Sequence, residues 1–600
     1  RTAAALLASA LAALAGAPIA HATPPAPLAA APSAEVITVA TETGVLRRLP
    51  SIGRAARLSG EYDQLTWPVY LTAAEAAAAP RLRLTHVAAV SVMPEASKLT
   101  VTVDDRAVAS LPIATNGSSK TVEIALPPGT LHAGGNLVRV EADQRHRVEC
   151  SLAATYELWT EIDRAHTGLV FADAFAPDRR GLSDIADVAP DETGRVRIRL
   201  VAPTDPEPAR LARALRLTQA MALAGGFLDP IVSIERAPGK GPGIDLLFGA
   251  QARAEVAAAA ALPADVVALI DDPDPSRLTV VAPEDANALE HVVAEFEKAA
   301  AEPIGGAAGR RARAALGGTP IREGERRRFS ELGAVSTEFS GRLFRTTLDM
   351  RLPADFHGGD YAKVGLTLAG GYAPGLDRTS RMTIRVNGRQ IAGAPLGARS
   401  GEVFADRRLQ LPLSAFRPGR NRLEIEASLP ATEDAACDPQ IQIDASKRFL
   451  FVDQGAIEFP TFARAARLPD LGATAAGVLS TLGEDLRVGV FAPHPDAGTL
   501  SAIATVLTRV AVAEGRVDVP QITYRLPSSE VPSAWIFGAF SDLPATMGGA
   551  VGLDTVALRE TWGRRPTPER TSELEGDADP LVRRAAMLRT VALDEAFDTT

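Results

Sequence analysis

Residues 136–163 read NLVRVEADQRHRVECSLAATYELWTEID. The opening run, Leu137 to Ala142, alternates apolar and charged side chains, the period-2 pattern of a half-buried strand. A basic cluster follows (Arg145, His146, Arg147), then Cys150, then an aromatic and acidic tail made of Tyr156, Trp159, Glu161 and Asp163. The first part of this stretch comes back later in the chain: 136–142, NLVRVEA, is echoed by 421–427, NRLEIEA. The second of the two cysteines, Cys437, follows the echo.

The same duplication appears on both sides of this stretch. The run 97–106, SKLTVTVDDR, matches 380–389, SRMTIRVNGR. Similarly 195–203, RVRIRLVAP, matches 487–493, RVGVFAP, and 245–250, DLLFGA, matches 533–539, SAWIFGA. From 35 to 175 short alternating runs (VITV, RLRLTHV, KLTVTVDD, TVEIALP, NLVRVEA, LAATYELW) are separated by Gly, Pro, Asn and Asp, which predicts an antiparallel β-sandwich. A second sandwich is expected over 329–469, from runs such as FRTTLDMRLP, KVGLTLAGG, RMTIRVNGR and IQIDA. Over 195–305 strands alternate with helices (RVRIRLV, LARALRLTQAMALAGG, IVSIERA, IDLLFGA, LTVVAP, DANALEHVVAEFEKAA), the signature of a parallel α/β domain. The α/β pattern returns over 484–600. The expected architecture is multidomain, β and α/β, in the order β, α/β, β, α/β, from duplication of a two-domain module.

With 600 residues the chain is too long for one core. A net charge of −10 and no basic stretch interleaved with aromatics argue against a dedicated nucleic-acid binder. Residues 3–20 form a small-apolar run ending at Ala20-His21-Ala22, which reads as a signal peptide over 1–22, with a Pro/Ala-rich leader over 23–34; a membrane anchor or an Ala-rich helix is the alternative. No apolar run of membrane-spanning length follows residue 22, so a water-soluble mature chain is expected. In an exported chain Cys150 and Cys437 can pair; two buried thiols is the other possibility, and their equivalent places in the two copies favour a bridge.

Catalytic and cofactor chemistry is poorly supplied. The loop after the first α/β strand reads APTDPEP at 202–208 and APHPDAG at 492–498. Proline removes N–H donors and acids repel phosphate, so no nucleotide or flavin is expected, and no cofactor at all. His494 with Asp496, and His291 with Glu295, are too sparse for a metal site. No G-x-S-x-G elbow occurs. Glu157, Glu161, Asp163 and Asp173 are the only carboxylates placed to suggest a glycosidase, with Trp159 as a sugar platform. Tyr62, Trp67, Tyr361 and Tyr372 are carbohydrate-contact candidates because they are aromatic and near turns in the sandwiches, although a core role suits each of them too.

The domain order, the segment from Cys150 to Asp163 and the run 449–460, FLFVDQGAIEFP, together resemble the periplasmic accessory subunit of bacterial cellulose synthase, over about 35–600. The resemblance implies a non-catalytic protein in the periplasm at the bacterial inner membrane. Its sandwiches would be carbohydrate-binding-like jelly rolls and its α/β domains flavodoxin-like without flavin. Its partners would be the catalytic subunit of cellulose synthase and nascent cellulose, which it guides outward. The cyclic dinucleotide activator of that pathway would act on the catalytic subunit. Family members end in an interfacial and a transmembrane helix; nothing after Val551 is apolar for long enough, so either the anchor lies beyond Thr600, the favoured expectation, or this homologue binds its partner differently. The competing reading is a periplasmic polysaccharide hydrolase or esterase with accessory sandwiches.

Overall fold

The computed structural model describes residues 36–38 and 44–538, apart from 51–55, 116, 173–174, 203–205, 302–317, 438–441, 443–445, 466–473, 478–488 and 528–533. The signal, the leader and Asp173 fall outside the described residues. What is described is mostly β-sheet, in several domains.

In the first sandwich one sheet runs, in spatial order, Tyr62–Leu71, Gly134–Asp143, Lys98–Val103, Arg106–Pro112. The facing sheet has seven strands centred on Arg81–Ala88. Between them lies a core that includes Trp67, Val69, Leu82, Leu84, Val101, Val140 and Ile162. The second sandwich repeats the four-strand order with Leu343–Leu352, Gly419–Ser428, Arg381–Val386 and Arg389–Pro395. Its facing sheet runs Arg326–Arg328, Phe449–Glu458, Lys363–Tyr372, Glu402–Pro412.

The repeat extends to single hydrogen bonds. Leu137 N donates to Asp104 Oδ1 at 2.9 Å, and Arg422 N to Asn387 Oδ1 at 3.1 Å. Asp104 and Asn387 both have positive φ, 48° and 51°, at the turn of a hairpin, where a short polar side chain is tolerated. Asn136 Oδ1 accepts from His132 N and its amide donates back to His132 O (3.0 and 2.8 Å); Asn421 does the same with Arg417 (2.9 and 2.7 Å). The asparagine that starts both echoes is therefore a clamp on the preceding loop.

One predicted strand is different. Within 152–159, residues Ala153–Glu157 form a 3-10 turn, and the strand is Trp159–Ile162. Thr155 donates its hydroxyl to Leu152 O at 2.7 Å and Ser151 Oγ accepts from Ala154 N at 3.2 Å, so local side-chain bonds compete with the sheet there. Of IQIDA, only Gln442 is described.

Between the sandwiches the strands Ile231–Glu235, Arg197–Val201, Gly243–Leu247 and Arg277–Val281 form a parallel sheet in that order, with Ala268–Asp271 added antiparallel at one edge. That last strand is preceded by two short helices at Ala250–Ala254 and Ala257–Ala260. The second α/β unit contributes Gln521–Thr523, Gly489–Phe491 and Ala534–Ile536, again parallel with the first strand in the middle. Phe248 N donates to Val201 O at 3.2 Å, and Phe537 N to Phe491 O at 2.8 Å, so the two Phe-Gly steps occupy matching places.

The two α/β units share one core, which takes in Leu211, Leu215, Ile234, Leu500, Ile503 and Leu507. Helix Ala497–Glu514 lies along the open edge of the first parallel sheet. Ser501 Oγ accepts from Ile234 N at 2.9 Å. Thr505 Oγ1 accepts from Val232 N at 3.0 Å and donates to Val232 O at 2.9 Å. Arg509 Nε donates to Pro230 O at 3.0 Å. Four residues of helix rise about 6 Å and two of strand about 6.6 Å, so an i, i+4 row of polar side chains keeps step with every second residue of a strand. Among the described residues this helix is the one long and apolar enough to cross a membrane, and here it packs as a core element.

Candidate functional site: the joint between the sandwiches and the exposed aromatic rings

The two sandwiches are locked together by residues far apart in sequence. Tyr62, at the start of an edge strand of the first sandwich, inserts its ring into the core of the second. It stacks on Phe344 with centroids 5.5 Å apart, meets Phe339 edge-on at 6.3 Å, and places its hydroxyl 3.2 Å from that of Thr337. Burial pushes its phenol pKa up, so the hydroxyl stays protonated. Beside it Glu61 is fully buried; its carboxylate accepts from Arg342 Nη1 and Leu343 N, both at 2.9 Å, and from Arg342 N. Arg145 donates to Ser340 Oγ at 2.7 Å, and Gln442 to His146 O at 3.2 Å. Cys150 and Cys437 are disulfide-bonded across the same joint.

Asp434 stands behind this joint, bonded by both nitrogen arms of Arg448 at 2.7 Å and 3.2 Å from Arg342 Nε. Burial opposes its charge, but the guanidinium of Arg448, a backbone N–H and Arg342 hold the carboxyl below the usual range. A buried charge survives only when paired in this way.

The five aromatic candidates separate by exposure. Trp67 is 4% exposed and lies in the first core; Tyr62 (8%) and Tyr372 (6%) lie in the second. Tyr372 donates its hydroxyl to Glu402 at 2.9 Å. These three rings face protein, the core role that also suited each of them. The sheet faces decide it: Trp67 alternates in phase with Val69 and Leu71, and Tyr62 is covered by a domain whose Thr337 lies 275 positions later. Trp159 sits half-buried on the outer face of its strand, with the Arg57 guanidinium over the ring at 4.1 Å. Tyr361 is 53% exposed. Tyr156, legible in the sequence only as part of a mixed tail, is 60% exposed and carries Arg345 of the other sandwich over its ring at 4.9 Å.

Of the candidate carboxylates that are described, Glu157 and Asp163 have separate partners and Glu161 stands apart from both. Glu157 lies 3.4 Å from His146 Nε2; Glu161 is exposed in register with Arg57; Asp163 holds His166 at 2.8 Å and Ala165 N at 2.9 Å. Among the described residues no group of three or more His, Cys, Asp or Glu is placed to hold a metal.

Two α/β helices start with little to offer a phosphate. The helix Pro208–Ala224 begins with Glu207 and a proline, and in the helix Ala497–Glu514 the Asp496 carboxylate already takes the Thr499 N–H at 2.6 Å. A carboxylate seated at a helix N-terminus occupies the place an anionic ligand would use. A groove with a cavity volume of about 100 Å³ lies between the first sandwich and the first α/β unit. Its polar lining is engaged: Tyr70 donates to Asp184 at 2.9 Å, Arg195 pairs with Asp229 at 2.8 Å, and Asn136 is spent on its loop.

Residues 45–173 match the family model "Cellulose synthase BcsB, first CBM domain", and residues 326–448 match "Cellulose synthase BcsB, second CBM domain". Both sandwiches are thus carbohydrate-binding domains, paired in one chain. The two matches support the identification of the chain as a BcsB-type accessory subunit of cellulose synthase. No curated protein matches it. Among solved structures it is similar to a family two carbohydrate esterase from Cellvibrio japonicus, at 12% identity and a TM-score of 0.13, over 45% of this chain and 87% of that one. A TM-score that low carries no argument about fold or chemistry.

Proposed function

We propose that this chain is the non-catalytic periplasmic component of a membrane cellulose synthase, attached to the catalytic subunit and guiding nascent β-1,4-glucan outward. The observation that carries this reading is the joint: two carbohydrate-binding domains are held as one body by the bridge, by Tyr62 and by the buried Glu61–Arg342 pair. A rigid tandem suits a polymer that must slide past several weak contacts without stalling. A bonded cysteine pair suits an oxidising compartment, as does the signal-like start of the sequence. We read the sandwiches as jelly rolls and the α/β units as flavodoxin-like, the latter serving as spacers, since one helix opens on Pro208, which has no N–H to offer, and the other is capped by the Asp496 carboxylate. Attachment to the inner membrane would come from a C-terminal anchor of the kind the family carries.

The test is co-purification of the full-length protein with its synthase, with fractionation to locate it and glucan output measured with and without it. Loss of output on removal, with no sugar released from soluble β-glucan by the pure protein, is the expected result. Sugar or acyl release by the pure protein would favour the hydrolase or esterase reading instead.

A further inference from the structure

We propose that Tyr361 is a stacking platform for a glucose ring of β-1,4-glucan on the second sandwich, an inference that rests on the carbohydrate-binding reading above. The Tyr361 hydroxyl donates to His357 O at 2.6 Å and accepts from Ala463 N at 2.9 Å, so the ring is fixed by the backbone on two sides. The loop that carries it is stitched down: His357 N donates to Ala463 O at 3.0 Å, Ala465 N to Asp355 O at 2.8 Å, and Phe356 meets Phe462 edge-on at 4.9 Å. Gly359 lies against the ring, since a Cβ there would come within 2.8 and 3.0 Å of two ring carbons. The ring is therefore backed by main chain and held outward.

No ring or cation is seated on Tyr361 among the described residues, whereas Arg57 covers Trp159 and Arg345 covers Tyr156. Around it His357, Asp360, Lys363 and Ser414 are exposed, and Ser414 Oγ donates to Asp360 at 2.6 Å. A flat aromatic face ringed by polar groups matches a glucose unit, whose C–H face is apolar and whose equatorial hydroxyls point sideways. A ring already fixed loses little freedom on binding. The duplication supplies a control: the same connection in the first sandwich, 72–80, is TAAEAAAAP and forms the short helix Ala73–Ala77. The sandwich folds without an aromatic there, so the fold does not demand Tyr361.

The experiment measures retention of the full chain by cellohexaose and by swollen cellulose, for wild type, Tyr361→Ala and Tyr361→Phe, with thermal midpoints recorded for each. Tyr361→Ala is expected to bind about tenfold more weakly, and Tyr361→Phe to restore binding to within about twofold, because the stacking face remains. Equal retention of Tyr361→Ala and wild type overturns the platform and leaves the carbohydrate-binding reading intact. Equal loss in Tyr361→Phe and Tyr361→Ala overturns stacking. Unchanged glucan affinity with weakened capture by the catalytic subunit makes this a protein contact and also overturns the platform. No retention of the wild type overturns the reading and the platform together.

Discussion

Replacing Thr505 with valine removes one hydroxyl and almost no volume, yet it strips two backbone groups at once. Val232, itself 1% exposed, sends its N–H to Thr505 Oγ1 at 3.0 Å and receives the hydroxyl at its carbonyl at 2.9 Å. These groups point away from the neighbouring strand, because Ile231–Glu235 is the edge of its sheet. In the variant neither group has a protein partner, and the helix packed along the edge restricts the approach of water. Each buried unsatisfied group costs about 1–3 kcal/mol, which gives roughly 2–6 kcal/mol for the pair. At the lower end of that range, which suits a half-buried pair, local opening of the edge should be easier by roughly thirtyfold. Hydrogen exchange read at the amides of Val232 and Ile234 tests this directly, with Ala502→Ser, at an exposed position of the same helix, as the control. Exchange at the wild-type rate in Thr505→Val would refute the claim that the hydroxyl row, rather than apolar packing alone, seals this edge.

Two further outcomes follow from buried groups elsewhere. Removing the bridge by Cys150→Ser with Cys437→Ser opens a loop closed across 287 positions, for which chain entropy predicts on the order of 5 kcal/mol as an upper figure; the unfolding midpoint should fall, and an unchanged midpoint in oxidised wild type and variant would show that the bridge constrains nothing. His86 is 1% exposed with neither ring nitrogen bonded among the described residues, and burial, with Lys120 beside it, lowers its pKa from 6.5 to about 4. The unfolded chain therefore binds the proton first. The stability that neutral His86 contributes is present above pH 6.5 and is lost as pH falls toward 4, by up to roughly 3 kcal/mol. Urea unfolding of wild type and His86→Leu at pH 7 and pH 4.5 should show a smaller acid loss in the variant, and parallel losses would remove His86 as the cause.

Much of the architecture was legible because the information is local or periodic. Alternation marks strands whichever partner they meet, and an echoed NLVRVEA carries its asparagine clamp with it. The 3-10 turn at Ala153–Glu157 was not legible, since its aromatic and β-branched composition favours a strand and only the Ser151 and Thr155 hydroxyl bonds turn it aside. Among the candidate contacts, the aromatic residues could be named but not sorted. A ring near a turn looks the same in a sequence whether a second domain covers it, as with Tyr62, or leaves it open, as with Tyr361.

The residues alone establish that a sandwich and an α/β unit occur twice, that the two cysteines occupy equivalent places, and that the α/β loops are poor phosphate sites. Packing in three dimensions settles what those pieces do to one another. It puts Glu61 and Tyr62 inside the other sandwich, lays the helix Ala497–Glu514 on the first copy's open edge, and leaves the Tyr361 ring uncovered. The physical reason is that periodicity records which side of an element avoids water. It does not record which distant residue keeps the water away.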